Sequence, residues 1–320
     1  MIRGSKATIR SRQGAGQSRF AGQDGFSGKA RGAIAGGSRF YRLGGACCLA
    51  TLASCGSFNM FSTDQDVAMG LQAYDQILEG ERLIQSGSEY QMVNEVTDRL
   101  IGATFQVSPE LAEKFDWQVS LIDNAETVNA FALPGGKMAV YTGILPVAQG
   151  PTGLAVVMGH EIAHATERHG TQAVSRSQLA GFGMSIASAL LGDSKTPAYA
   201  AALAQGATAL VQLSYGRGAE LEADRVGLRI MATAGYDPRE AVNFWERMAA
   251  LSGGSAPIEF LSTHPSNESR IQQIRDLLPE VIPIYEAARQ SPPPKAPDPV
   301  APGPSAPGEG DAKQPKNRWN

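Results

Sequence analysis

Apolar residues recur at helical spacing in two stretches between Asp64 and about Thr104. In the first stretch they are Val67, Leu71, Tyr74, Ile77 and Leu78, and in the second they are Tyr90, Val93, Val96 and Leu100. Steps of three and four residues place such side chains on one face of a helix. The pattern therefore predicts two amphipathic helices, joined by a turn near Ser86-Gly87-Ser88.

A strand is predicted over Trp117–Ile122, where apolar and polar residues alternate. A second strand is expected over Lys137–Thr142, after the turn signal Pro134-Gly135-Gly136. This strand would close a hairpin with the segment that begins at Asn129. We interpret it either as an ordinary sheet edge or as an edge that pairs with an extended peptide substrate.

Residues 152–170 form an apolar run without proline, which predicts a buried helix. The run contains His160-Glu161-Ile162-Ala163-His164, in which the two histidines are four residues apart and share a helix face. Two neutral imidazoles at this spacing suit Zn²⁺, and Glu161 could reach a water bound to the metal. The same short pattern also occurs by chance in ordinary helices, where the histidines only cap or pack.

A third ligand is needed, because catalytic zinc usually takes three protein ligands and one water. Glu220 is the best candidate after His164, and Asp224 lies four residues further along the same predicted helix face. Glu220 could bind the metal while Asp224 accepts the far N–H of a ligand histidine and fixes its tautomer. The alternative is a solvated acidic face, although the small neighbouring residues favour a tightly packed helix.

Four later segments also have helical patterns. Gln178–Gly192 and Ala198–Leu213 are rich in Ala, Leu and Gly but too short to span a membrane, so we expect buried or lid helices, with shallow membrane contact as the alternative. Asp237-Pro238 opens a helix that continues to about Leu251, since an N-cap residue is followed by proline at the first helical position. Ser266–Leu278 is amphipathic.

Composition limits the class of partner. The chain has 320 residues, of which 42% are hydrophobic, enough for one large globular domain or two small ones. Residues 1–42 contain nine Lys or Arg and one acid, Asp24, so this segment carries +8 and the rest of the chain −11 of the total charge of −3. An acidic body argues against nucleic-acid binding, which requires a basic face.

The beginning of the chain has the layout of a targeting segment. Residues 1–42 are rich in Gly, Ser and Arg and contain no Leu or Val, which predicts a disordered extension. The apolar run Leu43–Cys55 follows, and its last four residues, Leu52-Ala53-Ser54-Cys55, resemble a bacterial lipobox whose cysteine is lipidated. One alternative is a buried apolar segment with an incidental cysteine. Another is a mitochondrial transit peptide, which the Arg-rich leader also resembles.

These changes of composition divide the chain into four parts. We expect a basic extension at residues 1–42, a signal at 43–54, a folded domain at 55–290 and a Pro-rich tail at 291–320. The cysteines are Cys47, Cys48 and Cys55, so no thiolate beyond residue 55 can bind a metal. Any metal in the folded domain must therefore be held by histidines and carboxylates.

Four separated motifs occur in a fixed order. They are Asn129-Ala-Phe-Ala-Leu-Pro-Gly-Gly136, His160-Glu-x-x-His164, Glu220-x-x-x-Asp224, and Thr263-His264-Pro265 followed by Arg270-Ile271. Over roughly residues 60–280 the chain resembles the HtpX/CaaX-prenyl-protease-type zinc metalloendopeptidases, gluzincins whose third ligand is Glu. More closely, it is similar to their soluble, periplasmic, lipoprotein-type bacterial members.

The resemblance implies an α+β, mostly helical, gluzincin-like fold with a small sheet or hairpin beside the His-Glu-x-x-His helix. It implies one Zn²⁺ per chain with His160, His164 and Glu220 as ligands, Glu161 as general base and Asp224 as the partner of a ligand histidine. In that family the counterpart of His264 lies close to the metal, as a transition-state donor or as a switch that occupies the water position. His169 has no role in this scheme and is expected at the surface.

The implied activity is cleavage of unfolded or misfolded envelope proteins. Substrate would lie along Lys137, Met138, Ala139, Val140 and Tyr141. Lipidated Cys55 would anchor the chain at the bacterial outer membrane, facing the periplasm, with a mitochondrial location as the alternative. The alternative functions are a lipid-anchored, chaperone-like factor that works with the outer-membrane assembly machinery and has a latent protease, and a metal-binding lipoprotein without hydrolytic activity.

Overall fold

A mixed sheet of four short strands lies beside the helix that carries His160 and His164 in the computed structural model, which describes residues 58–179, 210–251, 258–265 and 268–297. The strands are β1 (Leu83–Ile84), β2 (Gln118–Ile122), β3 (Ala130–Ala132) and β4 (Lys137–Tyr141). The helices among these residues are α1 (Thr63–Leu78), α2 (Ser88–Val107), α3 (Pro109–Ala112), α4 (Leu145–Ala148), α5 (Pro151–Thr166), α6 (169–179), α7 (Arg217–Thr233), α8 (Glu240–Leu251), α9 (Glu259–Thr263) and α10 (Glu268–Ala288), with a 3₁₀ turn at Thr142–Ile144. The described part of the chain is therefore mostly helical, as the sequence predicts.

Helices α1 and α2 confirm the helical spacing of the first apolar residues. A capping box begins α1: the Ser62 backbone N–H donates to Gln65 Oε1 at 2.8 Å, and the Gln65 N–H donates to Ser62 Oγ at 3.2 Å. Val93, Val96 and Leu100 of α2 are buried in the core. The link between the helices contains β1, which has two residues and is too short to give a periodic signal.

Strand β4 lies inside the sheet and not at its edge. The strand order is β1-β2-β4-β3, with β2 parallel to β4 and the other neighbours antiparallel. β3 and β4 form the expected hairpin, whose turn uses Gly135 and Gly136 at φ +80° and +95°, a backbone region that favours glycine. The expectation that β4 pairs with substrate is wrong, because β2 and β3 already occupy both of its backbone edges. This correction applies to Lys137, Met138, Ala139, Val140 and Tyr141.

The backbone edge next to α5 belongs to β3. The Leu133 N–H donates to the Lys137 carbonyl at 2.7 Å, and the Tyr141 N–H donates to the Asn129 carbonyl at 3.1 Å. Since peptide groups alternate in direction along a strand, Ala130 and Ala132 direct theirs away from β4. β3 also packs against α5. An extended peptide beside α5 would therefore meet β3.

Helix α5 is the centre of the core, as its apolar sequence predicts. All of its residues from Gly153 to Thr166 are buried, and it packs against α2, α7, α8 and β3. Gly159 faces Gly227 of α7 so closely that a Cβ added to Gly227 would lie 2.9 Å from the Gly159 carbonyl oxygen. This close approach holds the middle of α7 against the half of α5 that carries the two histidines.

Helix α10 is longer than the sequence predicts. It begins at Glu268 within the predicted segment but continues to Ala288, through Pro279 and Pro283. Proline normally ends a helix, because it lacks an N–H and its ring clashes with the preceding turn. Apolar residues at helical spacing on both sides of Pro279, among them Ile274, Leu277 and Val281, are buried, so tertiary packing outweighs the local preference.

Parts of the sequence prediction fall outside the described residues. Gln178–Gly192 and Ala198–Leu213 lie mostly there, at positions 180–209, as do the leader with Cys55 and the tail beyond residue 297. Of the helices that the structure describes, none combines the length and the apolar composition that crossing a membrane requires.

Candidate metal centre

His160 and His164 project from one face of α5 toward a common point. They are one helical turn apart, and their Nε2 atoms lie 3.0 Å from each other. Their rings meet edge to face at a centroid distance of 4.6 Å. Both side chains are buried, so two imidazole nitrogens are concentrated in a volume from which water is excluded.

Two other elements complete a cluster of four side chains. Glu220, in the first turn of α7, places Oε1 3.3 Å from His164 Nε2 and Oε2 3.6 Å from His160 Nε2. His264, which follows α9, places Nδ1 3.1 Å from Glu220 Oε1 and 3.2 Å from His160 Nε2. One ligand atom from each of the four residues lies within 4.8 Å of the others, and all four residues are buried.

The spacing and chemistry of the cluster fit a zinc ion. Ligand atoms about 2.1 Å from a tetrahedral ion lie about 3.4 Å from one another, and the separations in the cluster fall on both sides of that value. Imidazole nitrogen and carboxylate oxygen are both common zinc ligands. Glu220 Oε1 lies 3.3 Å from His164 Nε2 and 3.1 Å from His264 Nδ1, so this carboxylate oxygen faces two of the imidazoles. The residues present therefore suit the metal.

Asp224 lies where the sequence analysis placed it, one turn after Glu220 on α7 and against His160. Its Oδ1 is 3.0 Å from His160 Nδ1, the nitrogen that does not point into the cluster. Burial disfavours a proton on His160 and the charge of Arg270 does the same, but hydrogen bonds to Asp224 and Glu220 outweigh both and raise the pKa of His160 to about 9. Metal ions and protons therefore compete for this residue.

Arg270 neutralises the carboxylates beneath the cluster, a role that the sequence analysis did not find. Its Nε and Nη2 donate to the two oxygens of Asp224 at 2.8 and 2.7 Å, and its Nη1 lies 2.8 Å from Glu220 Oε2. Its guanidinium group stacks 3.7 Å from the centroid of Trp245. Burial opposes ionisation of Asp224, but the charge of Arg270 lowers its pKa below the usual range. The sequence contained Arg270 only as part of a motif.

Glu161 points away from Glu220, toward β3 and His264. Its Oε2 accepts a hydrogen bond from the Ala132 N–H at 3.2 Å, and its Oε1 lies 3.3 Å from His264 Nε2. Burial raises the pKa of the Glu161 carboxyl, although the neighbouring imidazoles oppose the shift. The carboxyl group therefore lies between Ala132 of β3 and His264 of the cluster.

His169 is buried and not at the surface, so that prediction is wrong. Arg168 adopts a left-handed conformation at φ +58° and turns the chain, and α6 therefore begins with His169 directed back at α5. His169 Nδ1 lies 3.0 Å from His164 Nδ1, and only 1% of the residue is exposed. Tyr215 is a second residue of the site that the sequence did not predict, and its ring stacks on His164 at a centroid distance of 4.1 Å.

A family comparison covers the same elements. The model of peptidase family M48 matches residues 88–278, which include every residue of the cluster. The chain is 35% identical over 227 residues to the mitochondrial metalloendopeptidase OMA1 of Schizosaccharomyces pombe, with 70% of this chain and 64% of that protein covered. It is 31% identical over 229 residues to the human mitochondrial metalloendopeptidase OMA1, with 69% and 43% covered.

A bacterial relative is also similar to the chain. The beta-barrel assembly-enhancing protease of Escherichia coli is 30% identical over 230 residues, with 70% of this chain and 46% of that protein covered. The chain thus spans less than two thirds of the length of each of these three relatives. The narrower likeness to HtpX/CaaX-type members stays a prediction, but the family itself is confirmed. The chain belongs to peptidase family M48, and its residues 88–278 form a zinc metallopeptidase domain of that family.

Proposed function

We propose that this chain is a zinc-dependent endopeptidase that cleaves unfolded or misfolded proteins. The observation that carries the proposal is the position of Glu161, whose buried carboxyl group accepts a hydrogen bond from the Ala132 N–H of β3 and lies 3.3 Å from His264, a member of the cluster. A base in this position is within reach both of a water at the metal and of a peptide on the strand. The metallopeptidase domain and the named relatives support the same class of reaction.

His160, His164 and Glu220 are the proposed metal ligands. Zinc held by them would supply a polarised water of lowered pKa. Glu161 would take the proton of that water on a carboxylate oxygen and then return it to the nitrogen of the leaving amine. The burial that raises the pKa of Glu161 suits a group that must both accept and release a proton near neutral pH.

The substrate would bind as an extended strand along β3. Ala130 and Ala132 direct their peptide groups away from β4, and the Ala132 N–H is already at the site through its hydrogen bond to Glu161. Pairing through backbone atoms gives affinity with little dependence on sequence. A folded protein does not present a free extended segment, so this mode of binding favours unfolded chains.

The leader supports an envelope location. We propose that Cys55 is lipidated and holds the domain at the bacterial outer membrane, facing the periplasm, because Leu52-Ala53-Ser54-Cys55 resembles a lipobox. The alternative is a mitochondrial location. Some relatives are named as mitochondrial proteins and one is named for beta-barrel assembly, and the Arg-rich leader also suits mitochondrial import. Mass spectrometry of the mature N-terminus separates the two, because only the envelope form begins with a lipidated cysteine.

A latent protease that acts mainly by binding unfolded outer-membrane proteins is the second candidate. The contacts of His264 favour it, since its ring lies 3.3 Å from Glu161 Oε1 and 3.1 Å from Glu220 Oε1, between the proposed base and a proposed ligand. In that case the domain would hold zinc but cleave nothing until His264 moved away.

Cleavage of casein by the full chain tests the proposal. We would compare the wild type with Glu161→Gln, which keeps the shape of the side chain, and count zinc in both. Glu167→Gln is the matched control, since Glu167 is a half-buried carboxylate that follows the same helix but lies outside the cluster. One zinc in every protein, with cleavage by the wild type and Glu167→Gln only, is the expected result.

Two results would contradict the proposal. Equal cleavage by the wild type and Glu161→Gln would remove Glu161 from the reaction. The second result is that every protein binds zinc but none cleaves casein, even after His264→Ala. That result would favour the binding function over the protease.

A further inference from the structure

A short hydrogen-bonded chain runs from His164 to the protein surface. His164 Nδ1 lies 3.0 Å from His169 Nδ1, and His169 Nε2 lies 3.2 Å from Glu222 Oε2. Both imidazoles are buried, whereas 58% of the Glu222 side chain is exposed. The chain joins α5, α6 and α7, and its members lie on the side of His164 that faces away from the cluster.

The tautomers in this chain follow from the direction of the His164 ring. His164 Nε2 faces His160 and Glu220, so a metal in the cluster would take the Nε2 lone pair. The hydrogen of His164 must then be on Nδ1, where it is donated to His169 Nδ1. His169 must accept at Nδ1, which places its own hydrogen on Nε2, directed at the carboxylate of Glu222. Each donor in the chain therefore meets one acceptor.

Each of the two proposed ligand histidines has a carboxylate behind its Nδ1, but the connection is direct for one and indirect for the other. His160 Nδ1 meets Asp224 directly, whereas His164 Nδ1 reaches Glu222 only through His169. A carboxylate behind a ligand imidazole fixes the ring and makes it a stronger ligand. The stacked ring of Tyr215 fixes the plane of His164 but offers no acceptor to its N–H.

We propose that His169 and Glu222 are positioning residues that hold His164 in the tautomer and orientation needed to bind zinc. The proposal rests on the proposed role of His164 as a ligand. It assigns a function to the buried histidine five residues beyond the His-Glu-x-x-His motif and to an acidic residue between Glu220 and Asp224. Neither residue touches the reacting atoms in this scheme.

Zinc affinity measured by competition with a chelator tests the proposal without reference to activity. Loss of a partner behind a metal ligand typically costs 10- to 100-fold in affinity, so we expect about this loss for His169→Ala and a smaller loss for Glu222→Gln. His169→Asn should bind zinc more tightly than His169→Gln, because the oxygen of Asn can take the place of Nδ1 and that of Gln only the place of Nε2. This order of the two amides would not arise from a purely structural role.

A control variant removes a buried contact from the same helix. Thr171, two residues after His169, accepts a hydrogen bond from Asn59 Nδ2 at 2.8 Å and is fully buried. Thr171→Ala should lower the free energy of unfolding but leave zinc affinity near that of the wild type. Equal zinc affinity in the wild type, His169→Ala and Glu222→Gln would overturn the proposal, as would equal losses in Thr171→Ala and His169→Ala.

The tautomers themselves are measured by NMR of the zinc-loaded, ¹⁵N-labelled wild type. The expected result is a hydrogen on Nδ1 of His164 and on Nε2 of His169. A hydrogen on Nδ1 of His169 would contradict the proposal even if a variant failed to fold. Absence of zinc from the wild type would instead contradict the proposed metal site, so the two failures are distinguishable.

Discussion

Arg270 shows at the level of one residue how the buried charges of the site are balanced. Asp224 is buried against His160, and Glu220 is buried against three imidazoles; isolated carboxylates are costly in such surroundings. Arg270 contacts both carboxylates and stacks on Trp245. The N–H groups at the edge of its guanidinium group therefore meet the carboxylates, and the face of the group packs on the indole ring. A lysine in this position could not make the same contacts.

Arg270→Met should therefore destabilise the fold. Removal of one partner from a buried ion pair leaves an uncompensated charge and costs about 3–5 kcal/mol. Arg275→Met is a matched control on the same helix, because Arg275 pairs with Glu246 at 2.6 Å while both side chains are about half exposed. A pair of this kind contributes about 0–1 kcal/mol.

Urea unfolding of the two metal-free variants measures the difference. The free energy of unfolding should fall markedly for Arg270→Met and hardly at all for Arg275→Met. Similar small losses in both would mean that the carboxylates find other partners or take up protons.

The residues of the site differ in how far the sequence could predict them. Motif spacing was sufficient to single out His160, His164 and Glu220, and the family resemblance added His264. The structure brings the four together, and their roles stay predictions. His169 was misplaced because the left-handed turn at Arg168 leaves no regular pattern, and its direction depends on that turn. Arg270 and Tyr215 meet the cluster only through tertiary packing, which one sequence does not reveal.

At the level of elements, the contact between α5 and α7 determines where Glu220 lies relative to the histidines. Gly159 and Gly227 allow the two backbones to meet: a Cβ on Gly227 would lie 2.9 Å from both the Gly159 carbonyl oxygen and the His160 nitrogen. Backbone atoms in the middle of buried helices cannot move aside individually. Any larger residue at position 227 must therefore separate the helices.

Gly227→Ala should weaken both the fold and the metal site. Overpacking of a core typically costs about 1–3 kcal/mol, and separation of the helices would also carry Glu220 away from His160 and His164. The control is Gly218→Ala on α7, where an added Cβ meets nothing within 4 Å and alanine is the better helix former. We expect lower zinc affinity and a lower melting temperature for Gly227→Ala only.

The sequence was sufficient to predict several helices and the hairpin, but not the order of the strands in the sheet. Helical periodicity identified α1 and α2, the apolar run without proline identified α5, and the turn signal identified the β3–β4 hairpin, since each of these is a local pattern. The parallel pairing of β2 with β4 is a long-range choice, and it places β4 inside the sheet and leaves β3 beside α5. The substrate strand was misassigned for this reason, because a single strand does not reveal which neighbours it has.

At the scale of the whole molecule, the metal cluster links separate parts of the fold. His160 and His164 come from α5, Glu220 from α7 and His264 from the end of α9. A ligand that binds only the folded state stabilises it by mass action, by about 2.7 kcal/mol when free zinc is at 100 times its Kd. The predicted zinc should therefore contribute to stability as well as to catalysis.

Removal of zinc by a chelator should lower the melting temperature of the wild type and abolish cleavage of casein, and added zinc should restore both. His160→Ala is the control, because the melting temperature of a protein that has lost a ligand should change little with chelator. If the chelator changes neither the melting temperature nor the activity of the wild type, the cluster does not bind a metal that the protein needs.

The order of four motifs along the chain was sufficient to predict a family of zinc metalloendopeptidases, and the M48 match confirms this broader class, whereas the HtpX/CaaX-type likeness stays a prediction. A motif order is a property of the whole sequence, so it survives errors in single elements. Location and substrate stay predictions, because they depend on the leader and on partners that leave no mark on the described fold.

The most direct test of the proposed zinc site is an anomalous diffraction map, recorded at the zinc edge, from a crystal of the zinc-loaded protein. We expect one peak in the cluster, about 2.0–2.2 Å from His160 Nε2, His164 Nε2 and a carboxylate oxygen of Glu220. A peak bound by other residues, or no peak within reach of these three atoms, would contradict it.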